Sequence, residues 1–271
     1  PECIRALHSC FPDIDPNLQN KHGYTALIVA MQYSERLDCI PVLFECFPNI
    51  DPNKQTNNGN TALMHACKQG LPQSITLLAT YFPSIDINMR NCMGKTVLMC
   101  AIERDYDKKC IVALCQSFPN PYPNIQDEYG ETTLMVAVRA QYPCSIISHL
   151  CKVFPNIDPN KQDKCQNTAL MYLLKSPNCT VKSVGQFLDT FPNVDVNIQN
   201  DRGQTAWTIA IEKGDISIVE LLLKRFPDTI SLANSAGQAA LMLATKKNNT
   251  KLISMLLKHI AGRQAGSRQA R

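Results

Sequence analysis

The sequence predicts an all-α solenoid: helix–turn–helix units in series, separated by hairpin-like fingers. Three observations predict it. The dipeptide Phe-Pro recurs at Phe11, Phe47, Phe82, Phe118, Phe154, Phe191 and Phe226, in steps of 35 to 37 residues. A second ladder keeps register with it at Gly23, Gly59, Gly94, Gly130, Gln166, Gly203 and Gly237. Finally, apolar residues stand seven and four positions before each Phe. A fixed period of this size marks stacked supersecondary units, because so short a unit cannot bury its apolar face alone and must pack on its neighbours.

The helix before each Phe-Pro is the plainest element. Ile4, Ile40, Ile75, Ile111, Ile147, Val184 and Val219 precede Phe by seven; Leu7, Leu43, Leu78, Leu114, Leu150, Phe187 and Leu222 precede it by four. Offsets of −7, −4 and 0 lie on one face of a helix. Proline then stops that helix, since it lacks an N–H and pushes the residue before it out of the helical region. A shorter helix follows each glycine: Thr25-Ala26-Leu27, Thr61-Ala62-Leu63, Thr96-Val97-Leu98, Thr132-Thr133-Leu134, Thr168-Ala169-Leu170 and Thr205-Ala206-Trp207. Its threonine is placed to cap by accepting a backbone N–H bond. A small residue five positions on, such as Ala30, Ala66, Ala101, Ala137 or Ala210, lets neighbouring helices approach closely. Between corner and glycine runs a polar stretch, for example Asn197 to Gly203, that reads as a finger whose glycine supplies positive φ.

Finger, G-x-T-x-L, short helix, longer helix, return: this pattern resembles the ankyrin repeat. It is clearest at Gly203-Gln204-Thr205-Ala206-Trp207-Thr208-Ile209-Ala210, followed by Gly214-Asp215 and Ile218-Val219-Glu220-Leu221-Leu222-Leu223. The resemblance implies one array over residues 1–260: a half repeat at 1–16, then seven repeats starting near 17, 53, 88, 124, 160, 197 and 231. Residues 261–271 read as a basic flexible tail, and the lysine-rich last repeat as a terminal cap. The chain opens on Pro1 inside a half repeat, so a longer or processed parent and an exposed apolar edge at the start are expected. There are departures from the family pattern. The repeats are longer than the family's, and Met64, Met99, Met135, Met171 and Met242 stand where the family places histidine, so apolar packing is expected to replace the histidine's hydrogen bonds. Gln166 replaces a finger glycine, and that finger is expected to be distorted.

Composition excludes several function classes. Hydrophobic residues make up 45% of the chain, enough for a continuous core, yet no apolar run reaches the roughly 18 residues of a membrane span. A net charge of +4 without a basic stripe in the body argues against nucleic acid. The 13 cysteines include no C-x-x-C pair. Cys3, Cys39 and Cys110 share one repeat position and are read as small buried residues of a reducing compartment, cytoplasmic or otherwise intracellular. The histidines stand at no metal-ligand spacing, and no phosphate-loop, dinucleotide or nucleophile-elbow motif occurs. Glu103 and Glu131 are placed to meet across neighbouring repeats, but with no pocket around them a solvated face is expected. Hence no catalytic residue, no metal, no cofactor and no small-molecule substrate are expected.

What remains is binding. The resemblance implies that partners lie along a concave groove made by the fingertips and the exposed side of the first helix. On this chain that surface carries Tyr24, Tyr33, Met93, Lys95, Glu103, Arg104, Glu128, Tyr129, Glu131 and Arg139. Tyrosine and arginine commonly anchor interfaces. The expected function is therefore a protein–protein interaction module for a partner protein or extended peptide, the recognition part of a larger protein. The alternative is a structural spacer or self-association element packing on another domain of the same protein.

Overall fold

The computed structural model describes residues 1–32, 37–104, 108–118, 122–140, 144–229 and 235–269. Among them the regular elements are helices, and pairing between extended segments is confined to one isolated bridge, Gln126 with Thr132. The chain forms two compact units, Pro1–Ala140 and Gln141–Arg271.

In the first unit the helices are α1 (Glu2–Cys10), α2 (Ala26–Ala30), α3 (Cys39–Cys46), α4 (Ala62–Lys68), α5 (Pro72–Tyr81), α6 (Val97–Arg104), α7 (Lys109–Ser117) and α8 (Thr133–Arg139). The short helices α2, α4, α6 and α8 pack in one row, and the longer α1, α3, α5 and α7 in another. The second unit holds α9 (Cys144–Val153), α10 (Ala169–Lys175), α11 (Val181–Thr190), α12 (Ala206–Lys213), α13 (Ile216–Arg225), α14 (Ser235–Lys246) and α15 (Thr250–Gln269). There α10, α12 and α14 form one row and α9, α11, α13 and α15 the other.

The periodic apolar positions make the core. From Ile40 to Val219 and from Leu43 to Leu222, every residue of the −7 and −4 sets is buried. Phe47, Phe82, Phe118, Phe154 and Phe191 close it. At each corner the Phe amide still donates to the carbonyl four residues back, as Phe82 does to Leu78 at 2.8 Å, but its own φ is extended. Proline at the next position enforces that switch, and at Phe11, Phe47, Phe82, Phe154, Phe191 and Phe226 the Phe carbonyl then accepts from the amide three residues on, a turn with Pro in its second position. The first corner is different: Phe11 is 61% exposed and Leu7 43%, because among the described residues no helix packs on the side of α1 away from α3. For the same reason Cys3 is exposed; Cys39, at the start of α3, is half-buried, so of the three cysteines read as buried only Cys110 is.

Each threonine caps as expected. The Oγ1 atoms of Thr25, Thr61, Thr96, Thr132, Thr168 and Thr205 accept from the amide three residues on at 3.3–3.4 Å. Met64, Met99, Met135 and Met171 are buried, apolar side chains filling the family's histidine site. Three expectations fail. Gln166 adopts φ +60° and its amide still bonds Asp163 at 2.9 Å, so this finger closes like the others at the cost of a left-handed non-glycine residue. Gly237 lies within α14 instead of in a fingertip turn, and Met242 is exposed where its counterparts are buried. Among the described residues, α14 packs on α12 and α15, and no further short helix covers its other side. Lastly, α15 continues to Gln269, through nine residues read as flexible tail.

One joining device was not legible. Asn17, Asn53 and Asn160 each reach into the following repeat, donating to the carbonyls of Asn49, Ser84 and Asn193 at 2.8–3.0 Å. Their Oδ1 atoms accept from the amides of Asp51, Asp86 and Asp195 at 2.7–2.8 Å. Asn88 accepts from Tyr122 in the same way. Two such bonds join one repeat to the next, and at about 0.5–1.5 kcal/mol each, Asn53→Ala should lower stability by about 1–2 kcal/mol in urea denaturation. A loss within a few tenths of that of Asn58→Ala, a fingertip control, would mean that water replaces both bonds.

Candidate functional site

The fingers are built alike. In the first, Asn20 donates its amide to the Tyr24 carbonyl at 3.0 Å, Gly23 returns one to Asn20 at 2.8 Å, and Asn20 Oδ1 accepts from His22 and Tyr24. Asn91, Asp127 and Asn200 repeat the arrangement. Tips are then tied in a row: Asn57 to His22, Cys92 to Asn58 and Glu128 to Met93 in the first unit, at 2.9–3.1 Å, and Asp201 to Cys165 in the second. Glutamines brace the row from beneath. Gln19 bonds both the Gly23 and Gln55 carbonyls at 2.7 Å, and Gln55 bonds Gly59 and Arg90 at 2.6 and 2.8 Å. Packing is so close that a Cβ on Gly59 would fall 2.5 Å from the Cys92 nitrogen. Side chains on these tips are thus presented from a rigid edge.

A second regularity sets the electrostatics. After four of the finger glycines, Gly59, Gly94, Gly130 and Gly203, the next residue pairs with the one eight positions on, at the end of the first helix: Asn60 with Lys68 (2.8 Å), Lys95 with Glu103 (2.7 Å), Glu131 with Arg139 (3.0 Å), Gln204 with Glu212 (2.8 Å). Asn167 and Lys175, around Gln166, do the same at 2.7 Å. In the first unit Arg139 also reaches Glu103 at 3.1 Å, linking Lys95, Glu103, Arg139 and Glu131 into one network. The two carboxylates do meet, with a guanidinium between them. Partial burial works against the Arg139 charge, but Glu131 and Glu103 more than offset it and hold the guanidinium above its ordinary pKa.

All ten residues expected on the surface belong to the first unit, and Tyr33 lies outside the described residues. Lys95, Glu103, Glu131 and Arg139 are engaged with one another, and the Glu131 side chain is nearly buried. Tyr24 is half-buried, its ring 5.3 Å from that of His65 in the next repeat. Met93, Arg104, Glu128 and Tyr129 are exposed. Met93 (41%) and Tyr129 (55%) occupy adjacent tips joined by the Glu128–Met93 backbone bond, and together they give this edge an exposed apolar lip. Glu128 accepts from the Tyr129 phenol and holds its pKa above the ordinary value.

His65 is the residue that sequence reasoning assigned least to. It is buried on α4, its Nε2 has no hydrogen-bond partner among the described residues, and burial and then Lys68 lower its pKa to about 4. Burial likewise holds the thiols of Cys100, Cys115 and Cys151 up to about 11, so they are protonated and poor nucleophiles at neutral pH. Among the described residues no helix is long and apolar enough to cross a membrane, and no cluster of His, Cys, Asp and Glu is arranged to hold a metal.

A family model for ankyrin repeats, each match spanning several repeats, fits residues 44–127, 76–163 and 178–267. The ankyrin repeat domain of Bcl-3, described as a unique member of the IkappaB protein family, is similar in structure. Its TM-score is 0.64 at 17% identity, over 82% of this chain and 90% of that one. In all, 536 solved chains match, a spread too wide to point to any one partner. No curated protein sequence matches.

Proposed function

The chain belongs to the ankyrin-repeat family, and from that premise we propose that it is the recognition part of a larger protein, binding a partner protein or extended peptide across the fingertips and first helices of its first unit. Ankyrin repeats are in general protein–protein interaction modules without enzymatic activity of their own. The observation that carries the reading is the lip formed by Met93 and Tyr129: large apolar side chains left in water, on tips held in place by backbone bonds. The backbone beneath the lip is already ordered, so binding has only the two side chains to order, which favours its use as an anchor. The internally paired network beneath contributes orientation more than affinity, since its charges are already satisfied. Arg104 and Glu128, both exposed, are charged groups of this surface outside that network and able to meet a partner.

The test is affinity capture from cell extract on the intact chain, followed by calorimetric titration of the captured partner. Tyr129→Ala and Arg104→Ala should each weaken binding by at least about 1–2 kcal/mol. Lys152→Ala, on the second-helix row, should leave it unchanged. Binding that is lost with Lys152 and indifferent to Tyr129 and Arg104 would assign the interface to the other face.

A further inference from the structure

The Gly203 fingertip in the second unit differs from those of the first. At Gly23, Gly59 and Gly94 a Cβ would collide with the backbone of the next finger; at Gly203 no described atom lies within 4 Å of that position. Beside this open tip is a cleft of about 500 Å³. Arg202, Gln204 and Glu212 line it from the finger and α12, and Met242, Leu243 and Lys246 from α14. Met242 is 73% exposed there. The rim is positive. Arg202 and Lys246 are exposed, and the one acid, Glu212, already accepts from Gln204 at 2.8 Å and offers its backbone carbonyl to the Lys247 ammonium. The charge bias extends beyond the cleft: from Thr229 to Arg271 there are seven Lys and Arg and no Asp or Glu.

We propose that this cleft docks an acidic segment of a partner protein that carries a bulky apolar side chain. The apolar group covers Met242 and Leu243, removing from water an exposed thioether that no other part of the described chain covers. Carboxylates on either side of it meet Arg202 and Lys246. Nucleic acid fits less well, because no aromatic side chain lines the cleft to stack a base. The site belongs wholly to the second unit and stands independently of the fingertip lip of the first.

A random peptide library displayed on phage and selected on the intact chain tests this. Selected peptides should be enriched in Asp and Glu flanking Leu, Ile, Phe or Met. The double variant Arg202→Glu with Lys246→Glu should bind them roughly tenfold or more weakly, and Met242→Gln should weaken them several-fold by itself. All three positions are exposed, and a circular dichroism melt unchanged from the parent chain confirms that each variant folds; if the charge reversal does not, Met242→Gln carries the test. Selection of nothing, of peptides without acidic bias, or of peptides that bind the variants as well as the parent overturns the proposal. Equal competition by single-stranded DNA overturns it, as does a dimer of the chain that the double variant dissociates, which would seat a second copy in the cleft. Loss of the peptides on Tyr129→Ala and not on the charge reversal would locate them at the first-unit lip, so failure here and failure of the fingertip reading are told apart.

Discussion

Replacing Phe82 by alanine is expected to cost about 3–5 kcal/mol of stability. The ring is 4% exposed, closes the end of α5, and meets Phe44 edge-on with centroids 5.6 Å apart. Truncation removes its transfer energy and leaves a cavity that the corner cannot collapse into, because Pro83 and the backbone bond from Phe82 to Leu78 hold the chain in place. Phe11→Ala, the same motif position in the first corner, should change stability by no more than about 0.5 kcal/mol, since that ring is in water already. Urea denaturation of the pair makes the comparison. Equal losses would show that Phe11 is covered in solution, and a Phe82 loss below about 1 kcal/mol would place its ring outside the core.

The second large effect is with pH. His65 has a folded-state pKa near 4, below its ordinary 6.5, so the unfolded chain takes up the proton first. Stability should be level above about pH 6.5, fall as pH drops from there toward 4, and level off below, where both states are protonated. The full shift corresponds to roughly 3 kcal/mol; solvent reaching part of the ring reduces the expected loss to about 2–3 kcal/mol. His65→Leu removes the titrating group, so the stability difference between parent and variant should change across that window while acids common to both cancel. Parallel curves from pH 7.5 to 4.5 would mean that His65 stays solvated in the fold, and so would an imidazole proton resonance with a midpoint near 6.5.

Much of this molecule was legible because its physics is local and repeated. Phe-Pro corners, threonine caps and the −7/−4 apolar face each depend on a few neighbouring residues, and each appears as predicted through the middle of the chain. What depends on residues a whole repeat away was not legible. Asn17, Asn53 and Asn160 recur in sequence as plainly as the glycines, but their partners are backbone atoms more than 30 residues on, and a spacing alone does not say which way a side chain turns. The pairing of Lys95 with Glu103 and Glu131 with Arg139 escaped for a related reason. A separation of eight is not a helical contact, and it becomes one only when the finger folds back over the helix end. That pairing also alters the weight of the surface residues: four that looked available are occupied with one another, while Met93, Tyr129 and Arg104 remain open to solvent. Tyr24 is half-buried, with part of its ring against His65. The last repeat departed most, because periodicity describes units with neighbours on both sides.

The asparagine joints have one more implication. Each addresses only main-chain atoms of the repeat it holds, a carbonyl oxygen and an amide, and those atoms are the same whatever side chain stands there. A joint that ignores side chains is interchangeable, like a coupling cut to a common gauge. A repeat bearing its own asparagine can be duplicated, deleted or shuffled without inventing a new fit at the seam, and surface residues can drift without loosening it. Arrays of this kind therefore have an inexpensive route to changing length and grip in evolution, and an engineered chain with one internal repeat copied in tandem should fold without any redesign of the junction.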